Sequence, residues 1–182
     1  MAEDDRAAPE FALFATAIGR CGIAWSGRGI LAVQLPEASE RAMRARLRRE
    51  LPGARSGEPP PAVRQAIAAI VALLEGEARD LSAIPLDMAR VPPFHRRVYE
   101  VARTIAPGRT LSYSEIAARL GEPGAARAVG QALGRNPFAI VVPCHRVLAA
   151  HGKPGGFTAM GGVATKYRLL RIEGALPADL FS

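Results

Sequence analysis

The chain has 182 residues, 49% of them hydrophobic, and a formal net charge of +7. That suits one generous domain or two small ones with a real core, and it excludes wholesale disorder. No run of about 18 apolar residues exists, which excludes a membrane-spanning helix, and the acidic start Met-Ala-Glu-Asp-Asp-Arg lacks the apolar core of a secretion signal.

The cytoplasm is therefore the expected compartment. The two cysteines, Cys21 and Cys144, lie far apart, and the three histidines show no metal-ligand spacing, so neither a disulfide nor a metal site is expected. Residues 1–90 hold 12 Arg against 12 Asp or Glu, a net of zero. Residues 91–182 hold 10 Arg and 2 Lys against 5 acids, a net of +7. An Arg-rich composition accounts for the total but not for the asymmetry. A basic half beside a neutral one points to a polyanionic partner.

In chain order, residues 1–10 read as a tail. Phe11–Ala17, Cys21–Ser26 and Ile30–Leu35 read as three strands of an antiparallel meander, with Gly19-Arg20 and Gly27-Arg28-Gly29 as turns. Cys21 reads as packing. Ser39 opens an Arg-rich helix that Pro52-Gly53 stops, residues 55–61 read as a loop, and Val63–Leu74 is a second helix at apolar spacing. Ile84–Leu86 reads as a last strand, with a domain boundary near residue 90. Phe94–Ile105 is amphipathic, with His95 at its surface or in its packing.

Ser112 and Glu115 have capping-box spacing, so a short helix begins at Tyr113 and ends at Gly121. Pro123 suits the first turn of the next helix, which runs to about Leu133. The pair is a helix-turn-helix candidate or a plain helical hairpin. The second helix is nearly smooth, with Ala126, Ala128 and Gly130 around one long side chain, Arg127. A glycine inside a helix costs up to about 1 kcal/mol. It is tolerated where another helix, or a nucleic-acid groove, must approach the backbone.

Phe138–Val142 is a continuous apolar run that reads as a short buried strand, ended by Pro143. Beyond it come Cys144, His145 and Arg146. A thiol with cationic neighbours is a candidate nucleophile, against a buried free cysteine as the alternative. Gly152–Gly156 form a loop, and Val163–Ile172 is the last helix. Glu173 falls on its apolar side at the helix C-terminus; buried there, a carboxylate needs a partner, for which His145 and Arg146 are the candidates, against an exposed, frayed Glu173 before Gly174 as the alternative.

The residues Ser112-Tyr113, Ala125–Gly130, Asn136-Pro137 and above all Ile140–Val147, containing Pro-Cys-His-Arg-Val, resemble the alkylguanine-DNA alkyltransferases, the methylated-DNA–protein-cysteine methyltransferases. Lys166, Leu169-Leu170 and Glu173-Gly174 continue the resemblance, which is strong over about residues 91–175 and weaker in the N-terminal meander. It implies an α+β fold, with a small ribonuclease-H-like antiparallel-sheet domain over residues 1–90. A mostly helical DNA-binding and alkyl-acceptor domain with a helix-turn-helix would cover residues 91–182.

It implies a suicide repair protein, a monomer without cofactor, that binds double-stranded DNA by the minor groove, flips out 6-O-alkylguanine and takes the alkyl group onto Cys144. By that likeness His145 is a base acting through a water, Glu173 orients it, and Asn136 fixes the turn. Tyr113 donates a proton to the leaving guanine, and Arg127 fills the vacated stack. Ala126, Ala128, Gly130 and Arg146 contact DNA. Phe157, Thr158, Val147 and Gly156 line the guanine pocket. The alternative is a non-catalytic lesion-binding relative, but such relatives lack the acceptor cysteine. One departure is Ala159-Met160, which reads as a two-residue insertion before Gly161-Gly162. The expectation is an altered tolerance of bulky alkyl groups, read by comparing methyl with benzyl transfer.

Overall fold

The computed structural model describes residues 7–157 and 161–176. Thr158, Ala159 and Met160 lie outside the described residues, and so does most of the N-terminal tail. Three antiparallel strands, β1 (Glu10–Thr16), β2 (Gly19–Ser26) and β3 (Gly29–Gln34), form the expected meander. Helix α1 (Glu40–Glu50) is N-capped by Ser39, whose hydroxyl accepts from Ala42 N at 3.1 Å. The segment read as a loop after it contains a two-residue strand, β4 (Arg55–Ser56), parallel to β1, giving the order β3-β2-β1-β4. Helix α2 (Pro61–Leu74) follows. The strand expected over Ile84–Leu86 is a single bridge from Leu86 to Ile30.

Helix α3 (Pro93–Ala102) ends three residues earlier than its apolar spacing suggests. Strand β5 (Leu111–Ser112) leads directly into α4 (Tyr113–Arg119), whose capping box between Ser112 and Glu115 is present. Helix α5 (Ala126–Gly134) begins later than Pro123, because Ala125 N bonds back to Glu122 O at 2.9 Å and closes a turn first. A one-turn 3-10 helix (Cys144–Arg146) precedes β6 (Val147–Leu148), and α6 (Gly162–Ile172) ends the described fold. Among the described residues no helix is long and apolar enough to cross a membrane.

The apolar alternation of the strands separates two packed layers. On one face Phe11, Ala24 and Ala32 meet Met43 and Leu47 of α1, with the Arg44 and Arg48 guanidinium groups 5.8 and 5.7 Å from the Phe11 ring. On the other face Ile23, Trp25 and Val33 join a core that runs through α2 and α3 to Ile116, Val129 and Phe138. Cys21 is fully buried in that core, and burial raises its thiol to about 11 against a hydrogen bond from Thr16, as packing requires.

The run Phe138–Val142 is not a strand. It is a buried turn with Ile140 at φ 72°, closed by a bond from Val142 N to Phe138 O at 2.9 Å. It touches the sheet edge at one point: Val33 N donates to Pro137 O and Ala139 N to Val33 O. Apolarity on every side came from complete enclosure, which a short apolar run does not distinguish from a strand. Phe138 is the anchor, fully buried and edge-on to Tyr99 at 6.3 Å. We expect Phe138→Ala to lower unfolding free energy by about 3–5 kcal/mol, read from the denaturant midpoint at unchanged slope.

Candidate active site

Three local devices place Cys144. The first is Asn136, whose Nδ2 donates to Val142 O at 2.9 Å while its Oδ1 accepts from Phe138 N at 2.9 Å. One side chain thus spans the turn that leads from α5 into the cysteine. The second is the 3-10 turn, in which Cys144 N bonds to Val142 O and Arg146 N to Pro143 O. Cys144 and His145 are therefore on a tight turn, not on an extended segment. The third is the parallel ladder of β6 on β5, pairing Leu111 with Val147 and Ser112 with Leu148. That ladder fixes Tyr113, the first residue of α4, against the chain leaving Cys144.

Behind the cysteine lies a buried ionic cluster. Glu173 Oε1 is 2.8 Å from His145 Nε2 and 2.7 Å from Arg146 Nη2, while its Oε2 accepts from Arg146 Nε at 2.8 Å. The Arg146 Nη1 donates to Ile105 O at 2.6 Å. His145 and Glu173 expose 1% and 3% of their side chains. Burial pushes the Glu173 carboxyl up, but the bonds from Arg146 and His145 outweigh it and hold the pKa at about 2. An ionised Glu173 accepts only, so His145 Nε2 carries the proton and donates. Burial also lowers the His145 pKa against the pull of Glu173, so the ring is neutral at pH 7 and its Nδ1 carries a free lone pair. That Nδ1 is buried and has no hydrogen-bond partner among the described residues.

Both candidate partners of Glu173 are thus used. Arg146, expected at the DNA surface, is instead 5% exposed with its guanidinium committed to Glu173 and Ile105. Cationic neighbours do not dominate the thiol. Burial pushes the Cys144 pKa above 9.0, while the Asn136 hydrogen bond and the Lys166 charge pull it down.

In front of Cys144 opens a cleft of about 610 Å³. It is lined by Ser112, Tyr113 and Ser114 of the β5–α4 corner, by Ala126, Arg127, Gly130, Gln131 and Gly134 of α5, and by Ala149, Ala150, Gly156 and Phe157 beyond β6. Gly130 faces Tyr113, where a Cβ would make an ordinary contact with the ring at 3.7 Å. Gly155, at φ 67°, does so more tightly, since its Cβ would stand 2.6 Å from the phenol oxygen. Of the expected residues, Ala128 is half-buried outside the lining, and Thr158 lies outside the described residues. Val147 does not line the cleft either. It is fully buried in β6, and its carbonyl accepts from Lys166 Nζ at 2.5 Å.

The resemblance includes Lys166 but gives it no role. The side chain is fully buried, its Nζ bonds to Val147 O and Pro154 O, and the Tyr113 ring centre lies 5.8 Å away. Burial lowers its pKa to about 8. The signal was present: Lys166, Leu169, Leu170 and Glu173 share one helical stripe at spacings of three and four. Gln131 was passed over, although it follows Arg127 by four residues.

A depressed carboxylate contributes stability that is complete above its ordinary pKa of 4.5 and lost as pH falls through about 2. Removing its charge leaves Arg146 buried without a counter-ion. We expect Glu173→Gln to cost about 3–5 kcal/mol at pH 7, with the gap to wild type narrowing between pH 4.5 and 2, read from denaturant melts across that range.

Residues 93–175 match the family model for the 6-O-methylguanine DNA methyltransferase DNA-binding domain. The chain is 37% identical to the methylated-DNA–protein-cysteine methyltransferase of Methanothermobacter thermautotrophicus over 84% of this chain and 78% of that one. It is 48% identical to the protein of the same name from Mycolicibacterium paratuberculosis over 64% and 68%. The fold superposes on the Mycobacterium tuberculosis O6-methylguanine methyltransferase with a TM-score of 0.74 at 36% identity, covering 94% and 97%. A structure of the M. tuberculosis protein OGT in complex with DNA gives 0.70 at 34%, with the same coverage.

Proposed function

The chain belongs to the methylated-DNA–protein-cysteine methyltransferases, and from that we propose Cys144 as the acceptor in a single-turnover repair of 6-O-alkylguanine in duplex DNA. The protein is a DNA-repair methyltransferase. The observation that carries the residue assignment is that Cys144 forms the floor of a cleft walled by α5, with the Glu173-held imidazole beside it in sequence.

In this reading residues 1–90 are the structural, ribonuclease-H-like part, and residues 91–182 act, with α4 and α5 as a helix-turn-helix. The small residues of α5 lie along the minor groove. Arg127, exposed on the cleft wall, takes the place of the flipped nucleotide, whose reacting carbon is out of reach in the stacked duplex. The cleft volume of about 610 Å³ accommodates one purine with its substituent.

A bridging water takes the thiol proton and passes one of its own to His145 Nδ1, with the ring held in the required tautomer by Glu173. The sulfur then attacks the alkyl carbon in line, the carbon–oxygen bond breaks, and its electrons pass to guanine O6. Tyr113 supplies the proton that neutralises the leaving base. Burial opposes loss of the Tyr113 proton in the resting protein, so the group is kept as a donor. The thioether is stable, so each molecule acts once, as a monomer. A cytoplasmic setting accords with two free thiols. A lesion-binding protein without transfer is disfavoured by the presence of the thiol in the cleft.

We expect Cys144→Ala to bind duplex DNA with near wild-type affinity yet take up no label from a duplex carrying a radiolabelled methyl group, while wild type stops after one equivalent under excess DNA. Label on the variant, or several turnovers by wild type, would overturn the assignment.

A further inference from the structure

The cleft wall on α5 carries a second long side chain that the chemistry above does not use. Gln131 is exposed, lines the cleft four residues after Arg127, and has Gly134 one turn further on. At Gly134 a Cβ would meet nothing within 4 Å. The Gln131 amide makes no hydrogen bond among the described residues. An unpaired amide among small residues has both a donor and an acceptor to offer.

We propose that Gln131 reads the base pair beside the lesion and gives the transfer reaction a sequence-context preference for G·C. This rests on the reading above that α5 lies along the minor groove. There every base pair presents acceptors, and only G·C adds a donor, the guanine 2-amino group. The Gln131 carbonyl accepts from that amino group while its NH₂ donates to guanine N3, a two-point contact that A·T does not offer. The four residues from Arg127 to Gln131 advance about 6 Å along α5, against about 3.4 Å per base step. Gln131 therefore reaches the first or second pair from the nucleotide that Arg127 replaces. Arg127 acts on every substrate alike, whereas Gln131 acts only where its partner base has the amino group.

The test is the single-turnover rate constant at subsaturating DNA, with guanine or inosine placed at the first and second positions on either side of the methylated base. Inosine lacks only the 2-amino group. Wild type should favour guanine over inosine at one of these positions, on the order of tenfold. Gln131→Met keeps the length without the amide, and its ratio there should fall to about one. Wild-type transfer with equal rates at all positions, or a preference that survives in Gln131→Met, would overturn the Gln131 assignment alone. Absence of transfer from every duplex would overturn the repair reading and this inference together. Arg127→Ala serves as the contrast, slowing guanine and inosine duplexes equally.

Discussion

A carboxylate at the C-terminal end of a helix, sealed from water, is an unfavourable placement, and the site depends on how Glu173 tolerates it. Its two oxygens are fully occupied by Arg146 and His145. Through the Arg146 bond to Ile105 O, the same cluster grips the segment that follows α3. Gly108, at φ 84°, passes so close that a Cβ would stand 3.2 Å from Glu173 O. Helix α6, the 3-10 turn and the end of α3 thus converge on one carboxylate. Such a cluster is weak evidence for net stability, since burying the charges costs nearly what their attraction returns. Its effect here is to fix one tautomer and one orientation of His145.

The thiol side is held by different means. Asn136 shapes a turn that touches β3 through two backbone bonds, and the β5–β6 ladder brings Tyr113 to the same place from 31 residues earlier in the chain. Lys166 closes the arrangement by tying β6 to the loop that carries Gly155 and Gly156. The N-terminal sheet thereby supports the site without contributing a side chain to the cleft. One charged cluster orients His145, and one set of backbone contacts positions Cys144; the cleft face of α5 carries the exposed Arg127 and Gln131.

Much of this was legible because it is local. Ser39, Ser112 and Glu115 sit at capping positions and cap as expected. The three meander strands follow from alternation and turns. Glu173 drew attention because a carboxylate on an apolar stripe demands a partner. Long-range pairings of two residues leave no periodicity to read, so β4, β5 and β6 were silent. Phe138–Val142 was read as a strand because enclosure by Tyr99, β3 and its own turn makes the same composition as a buried strand. Arg146 was placed at DNA by the likeness and offered as a partner of Glu173 by the stripe, and the buried acid decided between the two. Lys166 was named in the resemblance but given no role, since a buried lysine is rare and its stripe was not traced.

Alkyl transfer to Cys144 is proposed to run through an imidazole held by Glu173. The direct measurement is the single-turnover rate at which the peptide containing Cys144 gains one methyl from methylated duplex DNA, followed by mass spectrometry in wild type and in His145→Gln. Wild type should end with one methyl on that peptide. The variant, which keeps a hydrogen-bonding side chain but no base, should be slower by about 10²–10⁴. A methyl found on another residue, or equal rates in the two proteins, would contradict it.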